Sequence, residues 1–248
     1  MYFTINNISF ALNNTFKIED LSLEVDKGEM LGIIGPNGSG KTTLLKLMSG
    51  IFRPHKGTIW LHGNDIHTLK HKELARIRAY VPENIELPFD YTVYEIVALG
   101  RYPHKGAFMR LDRKDKMAMD KAFELTDTNK LIQRKFFTLS MGEKQRVMLA
   151  MAIAQEPELL LLDEPISHLD IGHQLAFMNT LKHLHKDGIT IISAMHELPI
   201  SMEFFDRLCL IDNGHILRSA SSKDKGLIDA IKVVFKVEDE RFLRTIAP

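Results

Sequence analysis

Eight consecutive residues, Gly35-Pro36-Asn37-Gly38-Ser39-Gly40-Lys41-Thr42, combine glycines with a lysine and a hydroxyl in an order suited to holding phosphate. The glycines let backbone N–H groups close around phosphate oxygens, Lys41 carries charge toward the β- and γ-phosphates, and Thr42 offers a hydroxyl to magnesium. A second centre lies downstream, where Leu159-Leu160-Leu161-Leu162 ends in Asp163-Glu164. Asp163 is suited to hold magnesium through water and Glu164 to polarise an attacking water, because phosphoryl transfer needs positioning and charge neutralisation more than covalent chemistry. Alone, the acidic pair also reads as a solvated turn or a helix cap. Beside a phosphate loop in the same sheet, it reads as the other half of one site.

The elements that position these groups are legible from pattern. Met30–Ile34 is an apolar run that ends abruptly in glycines, a buried strand feeding a loop, and Thr43 opens the helical spacing of Thr43–Met48, with Gly50 as its stop. Tyr2 to Val25 alternates short apolar segments with Asn7, Asn13-Asn14 and Asp26-Lys27-Gly28, which predicts antiparallel strands. Strands are also predicted at 58–61, 79–81, 159–162, 190–193 and 207–211. Val93, Ile96, Val97, Met117, Ala118, Ala122 and Leu125 recur at helical spacing, so a helical insertion is placed at about 86–154. After Gly214 a short helix and strand are expected to close the domain. Strands alternating with helices imply an α/β unit over 1–248 with a mainly parallel sheet, whose C-terminal edge binds ligands.

Bulk composition removes several classes of function. Lys plus Arg and Asp plus Glu both number 32, so no global field attracts nucleic acid, and none is expected as a partner. Cys209 is the single cysteine, which excludes an internal disulfide and fits a reducing compartment. The N-terminus lacks the basic start and apolar run of a signal peptide, and no apolar stretch approaches the ~20 residues that span a bilayer. A cytosolic location is expected, with any membrane reached through a partner. His67, His71, His104, His168 and His173 lack paired ligand spacing and read as surface residues.

Three further motifs complete an ordered series. Leu139-Ser140-Met141-Gly142-Glu143 precedes the acidic strand, Ser167-His168-Leu169-Asp170 follows Glu164, and His196 sits in Ala194-Met195-His196-Glu197 after the next strand. With these the chain resembles the ABC ATPases along essentially its whole length: the first looks like the LSGGQ signature, the second like the D-loop, the third like the switch histidine. The resemblance implies a P-loop NTPase core with an N-terminal antiparallel β subdomain and an inserted helical subdomain. It implies ATP and Mg2+ as cofactors, with Glu164 and His196 catalytic. Two copies would enclose two ATP molecules, so that Ser140 and the Gly142 N–H meet the partner's γ-phosphate, with Asp170 in the D-loop. An early aromatic stacks on adenine in this family; Phe10 is the better candidate with Phe16 behind it, and either reads equally as a core residue.

The chain departs from the family in three places. In Tyr80-Val81-Pro82-Glu83 the last residue stands where the family has a magnesium-ligating glutamine, so the expected metal set is Thr42, Glu83 and Asp163. Glu83 still supplies an oxygen, but it adds negative charge and loses an amide donor. Met141 and Glu143 replace a glycine and a glutamine; Met costs little at a helical φ and is strained at a positive one. Val97–His104 and Ser167–Gln174 look like the cassettes of iron–siderophore, haem and cobalamin importers. That likeness implies membrane-spanning permease subunits, a substrate-binding protein in the complex, and a place at the cytoplasmic face of the membrane. Two other readings are set beside it: a nucleic-acid clamp, which would need tandem cassettes or a basic face, and a regulatory subunit that binds ATP without turning it over.

Overall fold

A strand that is apolar at every position needs cover on both faces. The computed structural model describes residues 2–12, 17–84, 87–105 and 110–236. In chain order it runs β1 (Phe3–Ala11), β2 (Lys17–Val25), β3 (Met30–Ile34), α1 (Lys41–Met48), β4 (Lys56–Leu61), β5 (Asn64–Asp65), α2 (His71–Ile77) and β6 (Arg78–Val81). Then come α3 (Val93–Leu99), α4 (Arg113–Leu125), α5 (Met141–Ala154), β7 (Leu159–Asp163), α6 (Ile171–Lys186), β8 (Thr190–Met195), α7 (Leu198–Phe204), β9 (Arg207–Asp212), β10 (His215–Ser221) and α8 (Lys225–Phe235).

Two sheets result, an antiparallel one in the order β2-β1-β4-β5 and a larger one in the order β10-β9-β3-β8-β7-β6. In the larger sheet β9, β3, β8, β7 and β6 run parallel, and β10 alone is antiparallel. This is the α/β class expected from the alternation of strands and helices. The two-residue period of a strand explains the unbroken apolar runs. Leu31, Ile33, Leu159, Leu161, Cys209 and Ile211 face a core shared with α1 and the antiparallel sheet. Met30, Ile34, Leu160, Leu162, Leu208 and Leu210 face a second core, built with the helices on the opposite side.

The C-terminal order differs from expectation. β10 pairs with β9 first, and the helix α8 follows it, taking up Val233–Phe235, while Val237 lies outside the described residues. Helix wins there because Leu227 and Ile231, four residues apart, are both buried, and the Asp224 side chain accepts the Leu227 N–H at 2.8 Å.

Between β6 and β7 the described regular elements are helical, and α3 and α4 both pack on α5. Each of these helices opens with a reciprocal capping pair, Thr92 with Glu95, Asp112 with Asp115, and Ser140 with Glu143. They are tied together by Arg101, which is 3% exposed. Its Nε donates to Asp115 Oδ1 at 3.0 Å, and Nη1 donates to the Ala154 carbonyl at 2.5 Å and to Glu156 Oε2 at 2.7 Å. Asp115 is itself only 1% exposed, so removing its charge takes away the buried partner of the guanidinium and leaves it the exposed Glu156 carboxylate. Asp115→Asn is expected to destabilise the chain by about 3 kcal/mol, read by urea unfolding. Glu156→Gln, whose carboxylate is largely exposed, should cost under about 1 kcal/mol. Equal effects would remove the buried pair as the tie.

Candidate functional site

The loop after β3 is shaped by close approach. A Cβ on Gly35 would lie 2.1 Å from the Ile211 carbonyl oxygen, so only glycine fits where the loop crosses the end of β9. Gly40 sits at φ 109°, a left-handed value that suits glycine, and as the residue before α1 it offers no side-chain cap. The first-turn N–H groups and the positive helix end are thereby left for a ligand. Ser39 N–H donates to the Pro36 carbonyl at 3.2 Å, and the Ser39 carbonyl accepts from Gly214 at 2.9 Å. The first bond closes the loop on itself and the second pins it to the turn between β9 and β10.

Lys41, 4% exposed, donates through Nζ to the carbonyls of Gly35 (2.9 Å) and Pro36 (3.2 Å) and lies 3.8 Å from Glu164 Oε1. Burial pulls its pKa down, against the opposing pull of Glu164, Asp163 and Glu83.

β7 ends in Asp163. Thr42 Oγ1 donates to Asp163 Oδ1 at 3.0 Å, and the Tyr80 hydroxyl donates to Oδ2 at 3.2 Å. Burial raises the Asp163 carboxyl above its usual range, while these two hydrogen bonds hold it down. Glu164 has φ 47°, uncommon for a residue with a side chain. Its N–H donates to the Ala194 carbonyl at 3.1 Å, and its carbonyl accepts from Ser167 Oγ at 3.1 Å, which fixes this turn between β8 and the D-loop segment. Glu164 Oε1 stands 2.5 Å from His196 Nε2. Burial raises the Glu164 carboxyl, His196 and Lys41 oppose the shift, and the negative charge of Glu83 adds to it. The carboxylate at position 83 thus adds to the upward push on Glu164.

Asn37, Gly38, Gly40, Lys41, Thr42, Thr43, Glu83, Glu164 and His196 line one cleft of about 620 Å3. Asp163 lies behind this lining, next to Thr42. No group of three or more His, Cys, Asp or Glu among the described residues forms a metal cage. The available donors near Thr42 are all oxygens, which fits magnesium, an ion held by one or two carboxylates together with phosphates and water.

Phe10 is not among the described residues that line the cleft. Its ring stacks on Phe52 (5.2 Å between centroids) and His55 (5.3 Å) and packs against the core beneath the antiparallel sheet. Leu12 reaches the cleft instead, and Phe16 lies outside the described residues. The two aromatic partners offer Phe10 more buried contact than an open cleft does.

Ser140, Gly142 and Asp170 stand apart from the lining, at two helix starts. Ser140 Oγ accepts the Glu143 N–H at 3.3 Å, and its own N–H donates to Glu143 Oε2 at 2.8 Å. Glu143 therefore completes a cap in which its carboxylate takes up the otherwise orphaned Ser140 N–H. Met141 is the first residue of α5 and is not among the residues with positive φ, so the substitution carries no backbone strain. Gly142 faces Leu169 and His173, and Asp170 caps α6 through the His173 N–H at 2.9 Å. Tyr80, Leu12 and Ser167 escaped the sequence reading as site residues. Tyr80 shares a sheet face with Asp163 only through the β6–β7 register, which pairs it with Leu161, and no local signal in the sequence gives that register.

A family model described as ABC transporter matches residues 18–167. The chain is 38% identical over 224 residues to the iron(3+)-hydroxamate import ATP-binding protein FhuC of Bacillus subtilis, covering 90% of this chain and 83% of that protein. It is 36% identical to the ferric enterobactin transport ATP-binding protein FepC of Escherichia coli, over 88% of this chain and 80% of that one. Among solved structures, the ATP-binding cassette MJ1267 in its ADP conformation superposes with a TM-score of 0.82 at 25% identity, covering 95% of this chain and 97% of that one.

Proposed function

The chain belongs to the ABC transporter ATP-binding family and is an ATPase, and from that premise we propose that it powers import of a ferric chelate through separate membrane-spanning subunits. Two copies enclose ATP between the cleft of one and the α5 start of the other. No helix among the described residues is long and apolar enough to cross a membrane. In this reading the chain attaches at the cytoplasmic face through the permease, and a substrate-binding protein delivers the chelate. The observation that carries the reading is the convergence of Lys41, Thr42, Glu164 and His196 on one cleft beside Asp163. The ferric-chelate assignment is supported by the relatives named above, while Val97–His104 and Ser167–Gln174 resemble the wider group of iron–siderophore, haem and cobalamin importers.

In the reaction, the triphosphate lies over the α1 N-terminus and Lys41 exchanges its two loop carbonyls for the β- and γ-phosphate oxygens. Glu164 orients a water and takes its proton as the water oxygen bonds to the γ-phosphorus. The bond to the bridging oxygen breaks, leaving ADP and phosphate. His196, already against Glu164, holds that carboxylate in place and reaches the γ-phosphate. Magnesium, when bound, neutralises charge on the phosphate oxygens, and Thr42, Asp163 and Glu83 are the residues that would hold it. Nothing in this arrangement favours a subunit that binds ATP without turning it over.

The test is uptake by vesicles containing the chain with the permease encoded beside it, ATP inside, and binding protein loaded with ferric siderophore outside. Uptake of iron that requires internal ATP is expected. Robust ATP hydrolysis with no response to any ferric chelate, and a response to a different cargo, would overturn the substrate assignment while leaving the ATPase intact.

A further inference from the structure

We infer that Tyr80 is a positioning residue for the metal end of the site, its hydroxyl fixing the orientation of the Asp163 carboxylate. This deepens the functional reading above and rests on it. β6 and β7 pair in parallel with Tyr80 opposite Leu161, two residues before Asp163. Strand alternation sends Ala79 and Val81 into the core on the helical side, while Tyr80 packs against the core on the α1 side, as Leu161 does. Asp163 therefore emerges on the face where the Tyr80 ring lies.

The contacts are divided between the two carboxylate oxygens, with Thr42 Oγ1 on Oδ1 at 3.0 Å and the Tyr80 hydroxyl on Oδ2 at 3.2 Å. A carboxylate turns about its last bond with a broad, two-fold preference. Asp163 is 2% exposed, so bulk water does not fix that angle, and two donors from two different elements do. Thr42 has a second task at the metal. Tyr80 has none, which makes it the donor dedicated to the carboxylate. Hydrogen bonds to a charged, buried acceptor are among the stronger ones, so the loss should be measurable at the metal.

The experiment uses the full chain carrying Glu164→Gln, so that bound ATP persists, and titrates Mn2+ by electron paramagnetic resonance with ATP present. Tyr80→Phe keeps the ring and removes only the hydroxyl. It should weaken Mn2+ binding about tenfold while metal-free ATP binding and the melting temperature stay near wild type. Tyr80→Leu, which removes ring and hydroxyl, should lose metal affinity to the same extent. Tyr80→Phe binding Mn2+ within twofold of the parent overturns the inference, and a loss confined to Tyr80→Leu assigns the ring a packing role instead. A lower melting temperature in Tyr80→Phe with unchanged Mn2+ affinity overturns it as well. If the parent itself binds no metal–ATP, the functional reading falls and takes this inference with it.

Discussion

Glu164→Gln is expected to lower ATP turnover by about a thousandfold while ATP remains bound. Glutamine matches glutamate in size and can keep a hydrogen bond to His196, now 2.5 Å from Glu164 Oε1, so the local turn at φ 47° has no reason to open. What the amide cannot do is accept a proton from water. Because burial holds the Glu164 carboxyl above its usual range, its conjugate base is more basic than that of an ordinary surface glutamate. A raised pKa also means that wild-type activity falls, as pH drops, at a higher pH than a free carboxylate would give. His196 is the largest influence opposing that rise, so His196→Ala should move the acidic limb further upward. Single-turnover phosphate release across pH, with retained ATP measured in parallel, reads both effects. A Glu164→Gln chain that keeps more than a tenth of wild-type turnover would place the base elsewhere.

Lys41→Ala should abolish binding in place of chemistry, with ATP affinity falling at least about a hundredfold. Lys41 is a buried cation on which Glu164, Asp163 and Glu83 all act. Without it, a triphosphate enters a cleft in which the nearby acids repel it, and Glu83 makes this chain more sensitive than one with a neutral residue there. A ligand at a hundred times its dissociation constant stabilises the folded state by ~2.7 kcal/mol. Wild type should therefore melt higher with saturating ATP, and Lys41→Ala should not respond. The nucleotide-free variant should still fold, since Lys41 Nζ donates to the Gly35 and Pro36 carbonyls at the loop edge, and Glu164, which loses a 3.8 Å ion pair, keeps its contact with His196. A preserved ATP-induced shift would reassign the phosphate contact to the backbone of α1 alone.

Much of this molecule is decided over short stretches of chain. The phosphate loop, the apolar strand ending in Asp163-Glu164 and the three reciprocal caps are local, because each needs only residues within a few positions of one another. Strands buried on both faces also announce themselves, since both of their periods must be apolar. Choices settled by partners distant in sequence were not legible in this way. The stacking of Phe10 depended on Phe52 and His55, more than forty residues away. Whether Met141 carries strain depended on the φ it adopts where α5 begins, and it is helical. The need for glycine at position 35 comes from the Ile211 carbonyl, brought there because β3 and β9 are neighbours in the sheet. Tyr80 meets Asp163 for the same kind of reason, across the β6–β7 pairing. Sequence determined which chemical groups this protein possesses and the elements that carry them. Tertiary structure decided which groups touch, because strand order and register are set by packing summed over the whole core and not by any one segment.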